Sequence, residues 1–419
     1  MKIPFSPPYI DDDVINEVTD SLRSGWITTG PKVKALEEET ERLLNVQACS
    51  AVNSWTSGAI LALKWLGLKP TDEVIVPAYT YCATAMAVIE AGGKPVMVDI
   101  KEDMTIDEEQ IIKAITPNTK AILPVDIGGF PCNYLKIKEI ITSTDIIKLF
   151  TPTSENQRVL GRIMLLSDSA HSIGAKINSQ SVANYTDISV LSFHAVKNIT
   201  SAEGGIICLN LPAPFDNKEL KKWFKVMSLN GQTKDAFAKT QLAGWRYDVV
   251  DMGLKINMPD VNAAIALAQI RKYDYLLKER KRVFDRYNSC LQRFKWAILP
   301  FQTNKNEEES VKSSLQNPIS EIENAYHLYP LRIADISTDQ RDRLINMLAE
   351  KEIATNVHYI PLPELTVFKK MGFKISDYPI ANKTFEHEIT LPLYPQLTNE
   401  QIDFLLENLI KFHDEIVNK

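Results

Sequence analysis

Cysteine is scarce in this chain of 419 residues, and the five present (Cys49, Cys82, Cys132, Cys208, Cys290) form no CxxC pair and no metal-ligand spacing. That excludes a disulfide scaffold and a cysteine-rich zinc module, and reads as reduced thiols in a cytoplasmic protein. Long hydrophobic runs are missing too. The most apolar stretch, "VIVPAYTYCATAMAVI", is broken by Pro77 and is too short and polar to span a bilayer. There is no excess of positive charge: the net charge is −6, which gives no footprint for nucleic acid or an anionic membrane. The opening "MKIPFSPPYIDDD" carries prolines and acids where a secretion signal has an apolar core, so secretion is not expected. The histidines show no mutual spacing that would hold a metal, so no metal is expected.

What is present is a soluble α/β pattern, in a chain long enough for more than one hydrophobic core. Short apolar runs rich in β-branched residues recur at "EVIVPAY", "KPVMVDI", "KAILPVD", "IMLLSD", "ISVLSF" and "GIICLN". Helical patterns, "SGAILALKWLGL", "CATAMAVIEAGG" and "DEEQIIKAI", separate the earlier ones. This alternation predicts a largely parallel sheet covered on both faces, with ligands at the carboxyl ends of its strands.

Those strand ends carry chemistry. Thr56 and Ser57 open a helix after "QACSAVNS", and a helix N-terminus with hydroxyls suits a phosphate, although either residue alone reads equally as a cap. Tyr81 follows "EVIVPAY" and offers an aromatic face. Asp168 closes "IMLLSD", with His171 three residues on; a carboxylate there needs a partner, such as a cationic ring nitrogen. Ser192 and Lys197 stand in "SFHAVKNITSAEGG", between two apolar strands. A single lysine in such a place is usually a solvated loop residue. In series with a phosphate helix, an aromatic and an aspartate, it matches the needs of pyridoxal 5′-phosphate: an amine to condense with the aldehyde, an acid for the pyridine nitrogen and a phosphate cup.

The sequence resembles the DegT/DnrJ/StrS family of nucleotide-sugar aminotransferases over nearly its whole length. "SGWITTGPKVKALE", "SDSAHSIGA", "SFHAVKNITSAEGG", "GLKINMPDVNAAIALAQI", "VHYIPLPEL" and "LPLYPQLTNEQ" carry the resemblance, and the lysine motif is the most specific. "GWITTGP" and "SFHAVKNIT" are worded most like the UDP-4-amino-4-deoxy-L-arabinose aminotransferases. The resemblance implies a fold-type I PLP-dependent aminotransferase: a large domain with a mostly parallel central sheet flanked by helices (1–260), then a long connecting helix and a smaller C-terminal α/β domain (261–419).

It also implies roles. Lys197 is the catalytic lysine, and Thr56, Ser57, Tyr81, Asp168, His171 and Ser192 bind the cofactor together with it. Asn257 reaches the phosphate in the neighbouring subunit of a homodimer with shared active sites. Trp26, Thr28, Thr29 and Gly30 line the substrate side, with His194 and the motif pair His358 and Tyr359 near the sugar. The partners implied are L-glutamate, leaving 2-oxoglutarate, and a nucleotide-linked (UDP or dTDP) 4-keto sugar. Alternatives are a 3-keto sugar substrate, a 3-dehydratase (whose histidine in place of lysine Lys197 contradicts), and an idle regulator on the same scaffold.

Three departures accompany the match. Trp55 stands where many members carry a small residue, and Asp126 in "PVDIGGFP" where many carry histidine. Residues 141–161, "ITSTDIIKLFTPTSENQRVLG", exceed a plain helix-to-strand link and read as a surface insertion. A polar stretch at 303–320 reads as a mobile loop, and the charged run after "VNAAIALAQI" as the solvated continuation of one long helix. His327, His387 and His413 read as structural or surface residues.

Overall fold

The computed structural model describes residues 1–234, 245–301, 321–334 and 336–417. The stretch 303–320 lies outside them. In chain order the strands are β1 (Ala48–Val52), β2 (Glu73–Pro77), β3 (Lys94–Val98), β4 (Thr119–Ile122), β5 (Met164–Asp168), β6 (Lys176–Ile177), β7 (Gln180–Ser181), β8 (Ile188–Ser192), β9 (Gly205–Leu209), β10 (Ala297–Ile298), β11 (Ile322–Glu323), β12 (Tyr329–Ile333) and β13 (Glu388–Leu391).

Seven of them form the main sheet in the order β1-β9-β8-β5-β4-β2-β3. The pairs among β2, β3, β4, β5 and β8 are parallel, while β9 runs antiparallel to both of its neighbours. The six apolar runs read from the sequence all lie in this sheet, which is mostly parallel with helices on its faces. All its strands but the edge strand β3 are buried on both sides, which is why they read as continuous apolar runs rather than alternating ones. A second, antiparallel sheet, β10-β12-β13, sits on its own apolar core with the helices Thr338–Glu350 and Asn399–Val417. Ile3, from the N-terminal segment, is buried in that core and bridges to Ile353.

Helix Trp55–Leu66 positions the site. It is apolar nearly all round and packs against the sheet at Gly58, where an added Cβ would come within 2.9 Å of Val190. Its beginning abuts Gly205 of β9, where a Cβ would fall 2.6 Å from the backbone of Ser54 and 2.7 Å from that of Trp55. Its other end is held by residues 141–161. This segment is not the plain surface excursion the sequence suggested: it folds into the helices Thr144–Leu149 and Glu155–Leu160. Ser154 Oγ donates to the Leu66 carbonyl at 2.6 Å and Asn156 Nδ2 to that of Trp65 at 2.6 Å, while buried Gln157 reaches Leu66 and Asp72. The last carbonyls of a helix have no partner within it, and here the insertion supplies one.

The long helix expected after Pro259 is instead two, Asp260–Ile270 and Tyr273–Leu291. Lys272 leaves the helical region (φ −117°, ψ 21°), and its ammonium is drawn to Asp11 and Asp13 at 2.5 and 2.6 Å. The Tyr273 hydroxyl is buried and donates to the Ile173 carbonyl. The second helix is not solvated all round either: Arg280 is buried and donates to the Leu393 carbonyl at 3.0 Å.

Candidate active site

The carboxyl ends of β5 and β8 and the start of helix Trp55–Leu66 meet around a cavity of about 430 Å³. Ten residues singled out in the sequence line it: Trp55, Thr56, Tyr81, Asp168, His171, Ser192, His194, Lys197, His358 and Tyr359. Ser57 lies one step behind, its N–H donating to the capping oxygen of Ser54 at 3.1 Å and its hydroxyl bonded to the same atom at 2.9 Å.

Asp168 is held from both sides. The Thr84 hydroxyl donates to Oδ2 at 2.9 Å and the Ala170 N–H to Oδ1 at 3.2 Å; Thr80 in turn lies 2.9 Å from Thr84. Burial pushes its carboxyl up to about 7, against the pull of these donors and of Lys197. Burial acts on Lys197 in the opposite sense, bringing its amine down to about 8 against the attraction of Asp168. A lysine near 8 is the free amine, the form that condenses with an aldehyde, far more often at neutral pH than one at 10.5.

His171 is neutral with an assigned tautomer. The Gly128 N–H donates to Nδ1 at 3.2 Å, so the ring proton sits on Nε2, 3.2 Å from the Tyr359 hydroxyl. Burial lowers its pKa well below the usual histidine range. Gly128 and Gly129 both have positive φ (62° and 92°), and a Cβ on Gly128 would strike the ring of Phe301 at 2.4 Å, so the "GG" shapes the turn that holds this imidazole. Asp126, the departure from histidine, is buried and braces the same turn: it accepts from the Ser172 hydroxyl at 2.6 Å, the Cys132 N–H at 2.9 Å and the Tyr134 hydroxyl at 2.8 Å. Trp55, the other departure, lines the cavity while its ring is buried in the core.

Sequence reasoning missed two contributors. Thr84 orients Asp168; its only signal was a hydroxyl on the first turn of a helix that follows a strand end. His327, read as structural or surface, is buried with its ring 4.3 Å from that of His171, and its Nδ1 lies 2.9 Å from Asn198 Oδ1. His413 is buried and stacks on Trp296 at 4.1 Å, while His387 bonds the Lys383 carbonyl at 2.7 Å.

The remaining expected residues gather elsewhere. Thr29, Gly30 and Asn257 line a second cavity of about 410 Å³. Asn257 Nδ2 donates to Thr29 Oγ1 at 2.7 Å, and Thr29 Oγ1 to the Met258 carbonyl at 2.6 Å. Trp26 Nε1 donates to the Thr29 carbonyl at 3.1 Å, and the Thr28 carbonyl accepts from Asp260 N–H. Within one chain these residues do not reach Lys197. No group of three or more His, Cys, Asp or Glu placed to hold a metal occurs among the described residues.

The donor set of the first cavity fits pyridoxal phosphate: an amine, a carboxyl braced by two donors, a flat neutral imidazole, and the hydroxyls of Thr56 and Ser192 by a helix N-terminus. The model of the DegT/DnrJ/EryC1/StrS aminotransferase family matches residues 8–151 and 159–409. The chain belongs to this family. It is a pyridoxal-phosphate-dependent aminotransferase.

Three relatives of this aminotransferase give the match its scale. The putative sugar aminotransferase Spr1654 from Streptococcus pneumoniae, in its PMP form, is 39% identical with a TM-score of 0.91, covering 99% of this chain and 100% of that one. The spore coat polysaccharide biosynthesis protein SpsC of Bacillus subtilis is 31% identical over 97% of this chain and 95% of its own. Protein MJ1066 of Methanocaldococcus jannaschii is 34% identical over 95% of each. The gap between the two matched blocks, 152–158, falls inside the insertion at 141–161. Among the described residues no helix is long and apolar enough to cross a membrane.

Proposed function

We propose that this aminotransferase moves the amino group of L-glutamate onto a nucleotide-linked (UDP or dTDP) 4-keto sugar, in making an amino sugar for lipid A or a surface polysaccharide. The observation that carries the reading is the convergence of Lys197, Asp168 and His171 on one cavity, in a chain similar over its length to a putative sugar aminotransferase and a polysaccharide biosynthesis protein.

When bound, pyridoxal phosphate supplies a conjugated ring that withdraws electrons from the carbon carrying the transferred nitrogen. Asp168 holds the proton on the pyridine nitrogen. The helix N-terminus with Thr56, Ser57 and Ser192 takes the phosphate, and His171 and Tyr81 border the ring. Lys197 carries the proton to and from the carbon that bears the nitrogen, a role that needs an amine able to titrate near neutral pH.

On this reading residues 1–260 bind the cofactor, and 261–419 form the connecting helices and the smaller C-terminal part. Two copies join as a cytoplasmic homodimer, so that Asn257 with Thr28, Thr29, Gly30 and Trp26 completes the partner's site, while His194 and His358 face the sugar. Asn257 supports this placement: its side chain lines a separate cavity, although its backbone bridges to Val52 at the root of the phosphate helix.

The test is incubation with glutamate and a panel of 4-keto and 3-keto nucleotide sugars, with mass spectrometry of the products. Amination of 4-keto sugars is expected. Amination of 3-keto sugars alone overturns the regiochemistry, and rapid exchange between free amino acids with no sugar aminated overturns the function. An inert glutamate half-reaction would point to a regulator instead.

A further inference from the structure

Where His358 lines the cavity and backs onto the small sheet, three side chains stand in series. Glu388 opens β13 and is fully buried, as is Thr390 two residues along on the same face. The Thr390 hydroxyl donates to Oε1 of Glu388. Oε2 of Glu388 accepts from the backbone N–H of His358 at 2.9 Å, and Nδ1 of His358 lies 2.9 Å from Thr390 Oγ1. The His358 ring is stacked on Phe5 (5.4 Å, 22°) and lines the cavity that holds Lys197.

We propose that Glu388, Thr390 and His358 form a proton relay in which the charge state of Glu388 decides whether His358 offers the cavity a donor or an acceptor. This rests on the reading of His358 as a sugar-facing residue and makes Glu388 a positioning residue. A hydroxyl has one proton to give. With Glu388 ionised, Thr390 gives it to Oε1 and must accept from Nδ1–H, so Nε2 is a bare acceptor. With Glu388 protonated on Oε1 (Oε2 being engaged by the His358 N–H), the carboxyl donates to Thr390 and Thr390 donates to Nδ1. The ring proton then sits on Nε2. The two states differ by one proton: one taken up at Nε2 is matched by one passed from Nδ1 to Thr390 and from Thr390 to Glu388.

The charged and titratable groups facing Glu388 are Arg332, opposite it on β12; Arg341, whose Nη1 donates to the Glu388 carbonyl at 2.9 Å; and the phenols of Tyr79 and Tyr359. The two guanidiniums favour the carboxylate, but burial outweighs them and pushes the carboxyl up to about 8. Burial takes His358 down to about 3, and the charge of Lys197, also facing it, pushes the same way, so its ring stays neutral and changes only its tautomer.

The experiment is nitrogen NMR of the holoenzyme with ¹⁵N-labelled histidine, His358 being assigned by its loss in His358→Gln. Wild type is expected to carry Nε2–H at about pH 6.5 and Nδ1–H at about pH 9.5. In Glu388→Gln the amide oxygen must face the His358 N–H, leaving the NH₂ to donate to Thr390; the Nε2–H form then persists at both pH values. Thr390→Val cuts the series, and the tautomer no longer follows pH. The ionisation of Glu388 also disappears from the pH profile of kcat/KM in Glu388→Gln. One tautomer throughout in wild type, or a pH response surviving in either variant, overturns the relay. The spectra need no sugar, so tautomer exchange in an enzyme that aminates no sugar would sink the proposed function and leave the relay standing.

Discussion

The cavity around Lys197 and the groove around Asn257 are of nearly equal size, about 430 and about 410 Å³, yet their walls suit different tasks. The first is crowded with titratable groups whose pKa values burial has moved toward one another, Asp168 to about 7 and Lys197 to about 8. Such convergence is the signature of acid–base work. The second is walled by Thr29, Asn257, Val33 and Leu229, and the ammonium of Lys225 there is paired with Glu37 at 2.8 Å. It offers hydrogen bonds, shape and an ion pair, and has no carboxyl–amine pair drawn together by burial as Asp168 and Lys197 are. One chain thus gathers the titrating groups in the first cavity, while Asn257 and Thr29 stand apart in the second.

Mutations should separate the two regions. The largest effect is expected at Lys197: Lys197→Ala should lower turnover by about 10²–10⁴-fold from lost proton transfer alone, with more lost because the amine itself is gone. Borohydride reduction and peptide mapping should place the cofactor on the Lys197 peptide; a modified lysine elsewhere ends the assignment. Lys197→Arg should be as inactive, because a permanent cation cannot titrate.

In the second region Asn257→Ala should weaken cofactor binding by roughly 1.5–3 kcal/mol, the worth of a hydrogen bond to a charged group, and leave the protomer folded. Equilibrium dialysis reads the first and circular dichroism the second. A fully active monomer in sedimentation at low concentration would break the comparison, since the groove would then serve no neighbour.

Smaller is the pH dependence of the cofactor-free protein. Asp168 has a native pKa raised from 3.8 to about 7, so the native state binds more protons than the unfolded chain between those values, and stability falls as pH rises through them. Lys197, lowered from 10.5 to about 8, has the unfolded chain binding more protons between those values, so stability rises from pH 8 to 10.5. Buried Glu388 and Asp126, raised to about 8 and about 6, add to the first slope, so thermal melts of Asp168→Asn should show it shallower, not abolished, and keep the second. Smallest of all, Gln157→Ala should cost about 0.5–1.5 kcal/mol, the net worth of a lost hydrogen bond, because the Leu66 carbonyl keeps Ser154 and Asp72 keeps Thr153, with kcat unchanged.

What the sequence made legible follows from local signals. β2, β4, β5, β8 and β9 were readable because a strand buried on both faces is one apolar word, β3 because its apolar run persists at the sheet's edge, and Lys197, Asp168 and Thr56 because each stands at the end of such a word or the start of a helix. Thr84 and His327 were not readable. One acts only by touching Asp168 across 84 residues, and the other meets His171 from a distant part of the chain, so neither leaves a local pattern. The break at Lys272 escaped because lysine is a good helix former; its pull comes from Asp11 and Asp13, some 260 residues earlier. The insertion misled for the same reason: polar residues that look solvated were committed to carbonyls at the end of another helix.

That last contact makes helix Trp55–Leu66 a rod clamped at both ends. A helix of 12 residues is about 18 Å long, so Ser154, Asn156 and Gln157 grip it far from the cavity while Gly205 fixes its start. The opposite end of the same helix carries Thr56 into the cavity that holds Lys197. If that end takes the phosphate as proposed, changes in residues 141–161 should alter how fast the purified enzyme loses its cofactor on dilution, and leave the choice of sugar as it was.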